Sequence, residues 1–104
     1  MYRLSVLYET PSDPAHFRSY YSTVHLPLVR RLPGIRGIRY SFDVAALNGD
    51  APFFAIFEAE FDSAAALMSA LNSPEGQAAA GDIPNYASGG ATIIHYPLTD
   101  CDVA

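Results

Sequence analysis

The chain has 104 residues, half of them hydrophobic and 16% charged, with a net charge of −5. That is a single globular domain's worth, residues 1–104, and it excludes a disordered tail, a fibrous repeat and, since the richest apolar run is Phe53-Phe54-Ala55-Ile56-Phe57, a membrane-spanning helix. All six arginines fall in residues 1–40, which carry +4, whereas residues 41–104 carry −9 with no base, and an acidic chain without lysine or a basic stripe excludes nucleic acid as a partner.

Residues 2–8 alternate Tyr2, Leu4, Val6 and Tyr8 against Arg3, Ser5 and Leu7, the period of a strand. Asp13-Pro14 then supplies a capping carboxylate and a proline at the first helical position. Phe17, Tyr21, Val24 and Leu28 follow at helical spacing and predict an amphipathic helix. Pro27 removes a backbone donor, so a kink is expected near Val24-His25-Leu26, with the helix resuming to Leu32 and stopping at Pro33-Gly34.

A second strand is predicted over 35–46, with Ile38, Tyr40, Phe42 and Val44 on one face, and Asn48-Gly49-Asp50 as the turn into a third over 53–61. Asp62-Ser63 caps a helix with Ala64, Leu67, Met68 and Leu71 inward, and Ser73-Pro74-Glu75 caps a short one ending near Gly81. Asp82-Ile83-Pro84-Asn85-Tyr86 reads as a loop, and residues 91–96 as a fourth strand ended by Pro97.

The order βαββαβ is the ferredoxin-like α+β arrangement, one antiparallel four-stranded sheet with its helices on one face. The other face is left bare and of mixed polarity, so a homodimer packed sheet to sheet is expected, enclosing a cavity on that side. Seven tyrosines and six phenylalanines suit such a cavity to an apolar or aromatic small molecule. The alternation of Met1–Tyr8 is not that of a secretory signal, and a cytoplasmic location is expected.

His25 is the foremost candidate for chemistry, because the break before Pro27 lets its ring turn from the helix toward the sheet. A helix end favours its cation and apolar burial its neutral base, and satisfying carbonyls freed at the kink is the purely structural alternative. Tyr40 is the second candidate, a phenol able to stabilise a developing oxyanion or to be a core residue with its hydroxyl at the rim. Asp82 and Asn85 are explained by capping and turn formation, although a carboxylate near His25 would fix its tautomer. His95 is an alternative base, and His16 is expected in solvent. Three scattered histidines and the single Cys101 suggest no metal site, and the sequence has no phosphate loop or nucleophile elbow.

The stretch Tyr20-Tyr21 to His25-Leu26-Pro27-Leu28 and Leu32-Pro33-Gly34, followed by Ser73-Pro74-Glu75-Gly76 and Asp82-Ile83-Pro84-Asn85-Tyr86, resembles the EthD family of dimeric α+β barrel proteins. The resemblance implies a ferredoxin-like monomer dimerising through its sheets. Members are linked to ethyl tert-butyl ether degradation beside a cytochrome P450 system. Among the related methylmuconolactone methylisomerases and polyketide cyclases, acid/base groups work in the cavity, and His25 and Tyr40 match the isomerase-type histidine and tyrosine. Asp82, Asn85 and Tyr86 would bind ligand, with no cofactor and no metal. The chain departs from the isomerase pattern in lacking a mid-chain cysteine. Two functions follow: a cofactor-free isomerase or cyclase using His25 as general base, or a non-catalytic carrier or accessory protein of an oxidative degradation system. A haem-binding or oxygen-using relative stands third.

Overall fold

A computed structural model describes residues 1–103. Strand β1 (Tyr2–Tyr8) leads into helix α1 (Pro14–Tyr20), whose Asp13 side chain accepts a hydrogen bond from the His16 amide. A π-helical turn, Tyr21–His25, joins α1 to the short α2 (Leu26–Val29). Strands β2 (Gly37–Ser41) and β3 (Ala55–Phe61) precede α3 (Ala64–Asn72) and α4 (Pro74–Asp82). One 3₁₀ turn, Ile83–Asn85, and β4 (Ala91–Pro97) complete the order. The sheet runs β2-β3-β1-β4, antiparallel throughout. This is the ferredoxin-like α+β fold.

The core lies where the sheet meets the helices: Leu4, Val6 and Tyr8 of β1 and Ala55, Phe57, Ala59 and Phe61 of β3 face Phe17, Tyr21, Leu26, Val29 and Leu67. Ser63 caps α3, and Ser73 closes α3 while capping α4. Gly76 is required at that corner, since a Cβ there would fall on the backbone of Ala70 and Leu71.

The predicted helical stripe slips by one residue. Phe17 and Tyr21 are buried as expected, but His25 and Val29 continue inward, and Val24 is 40% exposed. The π turn causes it, because Leu26 donates to the carbonyl of Tyr21, five residues back, just before the proline that has no N–H to give. Helical geometry stops at Val29 rather than Leu32, with turn bonds from Arg31 to Leu28 and Leu32 to Val29.

Strand β2 is shorter than predicted. Beyond Ser41 the chain leaves the sheet, and Phe42 packs edge-on to Phe17 and Tyr21 instead of extending the ladder. Strand β3 begins at Ala55, and Asp82, expected in a loop, is the last residue of α4.

The face away from the helices carries a charged ladder: Arg3 forks between Glu58 at 2.8 Å and Glu60 at 2.7 Å, and Arg39 stands opposite Glu58. Beside it the Ser5 and Tyr96 hydroxyls meet at 2.9 Å. Among the described residues no helix is long and apolar enough to cross a membrane.

Candidate functional site

The principal cavity, about 180 Å³, lies between the sheet and the helices. The sequence pattern sets His25 at the edge of the bare face, and this is corrected: His25 lines the helix-side cavity, while arginine, glutamate and tyrosine side chains share the bare face with Leu7, Ile56 and Ile94. On the helix side α4 offers only Gly76, Ala79 and Ala80 opposite β1, which leaves space that larger residues would close. Leu4, Val6, Tyr8, Val29, Leu32, Phe57, Leu71, Ile83 and Ile93 complete the wall with His25. Ile93, on the edge strand, is 49% exposed and marks the side nearest solvent.

His25 is 4% exposed, turned inward by the π turn. Its Nδ1 lies 3.0 Å from Asp82 Oδ2 at the end of α4. The other carboxylate oxygen accepts from the Tyr20 hydroxyl at 2.6 Å and from Asn85 Nδ2 at 3.0 Å. Burial raises the Asp82 carboxyl, but these three donors more than reverse it and hold Asp82 below its ordinary value. The carboxylate is therefore the acceptor, and Nδ1 of His25 carries the proton.

Burial lowers the His25 pKa from 6.5, opposed by the hydrogen bond and charge of Asp82, so the ring is neutral at pH 7. Its Nε2 then holds a lone pair. Among the described residues no protein group bonds Nε2, and it is not one of the fully buried unpartnered atoms, so it keeps accessible surface on a residue that lines the cavity. This is a neutral base, oriented from behind and open in front.

The other sequence candidates divide. Asp82, Asn85 and Tyr86 do not line the cavity. Asp82 and Asn85 brace His25, and the Tyr86 ring packs on it at 4.7 Å while its hydroxyl meets that of Tyr8 at 2.7 Å. Tyr40 is not brought to His25: it stands on the edge strand β2, 45% exposed and absent from the cavity wall, with the Tyr21 ring touching both residues. His95 is exposed, its Nδ1 bonded to the Tyr2 hydroxyl at 2.6 Å, and His16 is exposed as expected. Sequence reasoning misses Tyr8 as a site residue, although its place in the Leu4–Val6–Tyr8 alternation already sets it on the helix-covered face. Tyr20 is missed as well. Among the described residues no group of three or more His, Cys, Asp and Glu is placed to hold a metal ion.

The fold and this arrangement define a small ferredoxin-like α+β protein with a histidine–carboxylate pair at an apolar cavity. The EthD domain profile matches residues 9–90, and the chain belongs to the EthD family. An uncharacterised 11.0 kDa protein from the thcB-thcC intergenic region of Rhodococcus erythropolis is 41% identical over 96 residues, covering 90% of this chain and 91% of its own. The crystal structure of an EthD family protein of Bacillus halodurans superposes with a TM-score of 0.88 at 29% identity, covering 95% of this chain and 99% of that one. A dimeric ferredoxin-like protein of unknown function from Thermobifida fusca shares the fold, with a TM-score of 0.71 at 14% identity over 93% of this chain and 90% of its own.

Proposed function

We propose that this protein binds a small apolar or aromatic metabolite in the cavity and that His25 exchanges a proton with it, without a cofactor, in isomerase- or cyclase-type chemistry. One observation carries this reading: an imidazole anchored through Nδ1 to a buried carboxylate, with no protein group bonded to Nε2 among the described residues, on a residue of a wall otherwise apolar but for Tyr8. A base so placed meets a ligand out of water, where proton transfer is not levelled by solvent.

The pH dependence tests it. His25 titrates below 6.5 in the folded chain, so turnover should rise with pH to a plateau, with the midpoint of the rise below 6.5. Stability has the same sign: between the folded value and 6.5 the unfolded chain binds the extra proton, so stability is full above 6.5 and falls as pH drops through that window. Nitrogen NMR of the histidines should show the Nδ1–H tautomer for His25 at neutral pH. A titration above 6.5, or an Nε2–H tautomer, would remove the base.

The carrier reading draws on the same apolar wall, and a ligand affinity flat across that pH window with no turnover would favour it. In either case we place the working unit in a cytoplasmic homodimer joined through the open sheet face. Leu7, Ile56 and Ile94 on that face, and a radius of gyration of 14.4 Å where about 13 Å is usual for 100 residues, support a flat half-structure needing a partner. Light scattering at micromolar concentration should give twice the chain mass, with about 1,000 Å² or more buried. A monomer would refute this.

A further inference from the structure

Three buried phenols meet beside the cavity. The Tyr8 hydroxyl lies 2.7 Å from that of Tyr86 and 3.5 Å from that of Tyr21, and among the described residues none of the three has another hydrogen-bond partner. Burial raises all three above the ordinary phenol range, so each keeps its proton. Three O–H donors thus share two contacts, and at least one hydrogen has no acceptor within the cluster. A buried donor left that way is costly. The Tyr8 hydrogen is directed at the Tyr21 oxygen, but across 3.5 Å, the outer limit of a hydrogen bond, so it is only loosely held. Of the three, only Tyr8 lines the cavity, and apart from His25 it is the only lining residue whose side chain carries a polar atom.

We propose that the Tyr8 hydroxyl turns this loosely held hydrogen to the ligand, and that the substrate is a small uncharged β,γ-unsaturated carbonyl compound whose removable hydrogen sits on the carbon between the carbonyl and the C=C bond. The proposal rests on the reading of His25 as the base. The lone pair on Nε2 takes the proton as the C–H bond breaks, the C–H electron pair becomes a C=C bond, and the carbonyl π pair moves onto oxygen. The resulting enolate oxygen accepts from Tyr8. The proton then returns from Nε2 to a different carbon of the conjugated system, giving an isomer, so no oxidant or reductant is consumed. When Tyr86 donates to the Tyr8 oxygen at 2.7 Å it polarises the Tyr8 O–H, which strengthens it as a donor. The wall carries no charged side chain, Asp82 standing behind His25 and off the wall, so a substrate carboxylate or ammonium would enter unpaired, which argues for an uncharged ligand.

The test uses two probes of one shape on the intact protein: 4-nitrophenol, whose phenolate imitates the enolate oxygen, and nitrobenzene, which lacks the hydroxyl. Binding is followed by titration, and ionisation by phenolate absorbance. Wild-type protein should prefer 4-nitrophenol and ionise it below the pH at which it ionises free. Tyr8→Phe should weaken 4-nitrophenol about ten- to a hundredfold and leave nitrobenzene unchanged, which also reports an intact cavity. Tyr86→Phe should give a smaller loss. Tyr8→Phe binding 4-nitrophenol like the wild type would overturn the donor role. If His25→Asn still abolishes ionisation in that case, the base survives. Wild-type protein that takes up neither probe defeats both proposals.

Discussion

Replacing His25 with alanine should lower turnover about 10²–10⁴-fold, the range a positioned general base contributes. Stability should fall by about 1–3 kcal/mol, toward the lower end because Asp82 keeps Tyr20 and Asn85 as donors when the imidazole N–H is gone. His25→Asn separates the two effects. Its amide can still donate to Asp82, which restores stability, but it offers no base to the cavity at neutral pH. A stable and fully active asparagine variant would show that the ring serves only as a brace between α4 and the π turn.

The largest loss of stability is expected from Phe17→Ala. The Phe17 ring is fully buried and lies within 5.0–6.0 Å, centre to centre, of five others: Tyr86 at 5.0, Phe54 at 5.1, Tyr8 at 5.2, Tyr21 at 5.5 and Phe42 at 6.0 Å. Four of these contacts are edge-on and one is stacked, geometries that add to the burial itself. Truncating a buried phenylalanine costs about 3–5 kcal/mol, a large share of the 5–15 kcal/mol that holds a typical domain together. In urea the midpoint should move sharply down with the slope unchanged. A loss below about 1 kcal/mol would mean that the cluster repacks around the void.

Much of this fold is legible one segment at a time. Strands β1 and β3 declare themselves by alternation, and Asp13, Ser63 and Ser73 by a capping group set just before a proline or an apolar stripe. What escapes is decided between segments. Pro27 announces a disturbance but not its form: the helix widens over Tyr21–His25 rather than breaking, and the stripe after Tyr21 slips because helical periodicity assumes that no turn holds an extra residue.

The tyrosines make the same point. Tyr8 and Tyr40 both sit in alternating apolar strands, so composition ranks them equally. Only strand order separates them, placing Tyr8 centrally between β3 and β4, under the helices, and Tyr40 on the outer strand. Asp82 is legible as a helix-end or turn residue and is one. Its second task, receiving His25 from 57 positions earlier in the chain, needs α4 laid beside the π turn, which no local pattern encodes.

The π turn also bears on how such a site can arise. One extra residue in a helix rotates everything after it by about 100°, so the inward face is handed to a new set of side chains without disturbing those before the insertion. Here Phe17 and Tyr21 keep their places in the aromatic cluster while His25 takes the inward position that Val24 would hold in a regular helix. The inward base therefore depends on the wide turn: wound as a regular helix the same sequence would present Val24 and leave the cavity without an imidazole, whereas removing one residue between Tyr21 and Val24 would let a regular helix carry His25 to the same inward place.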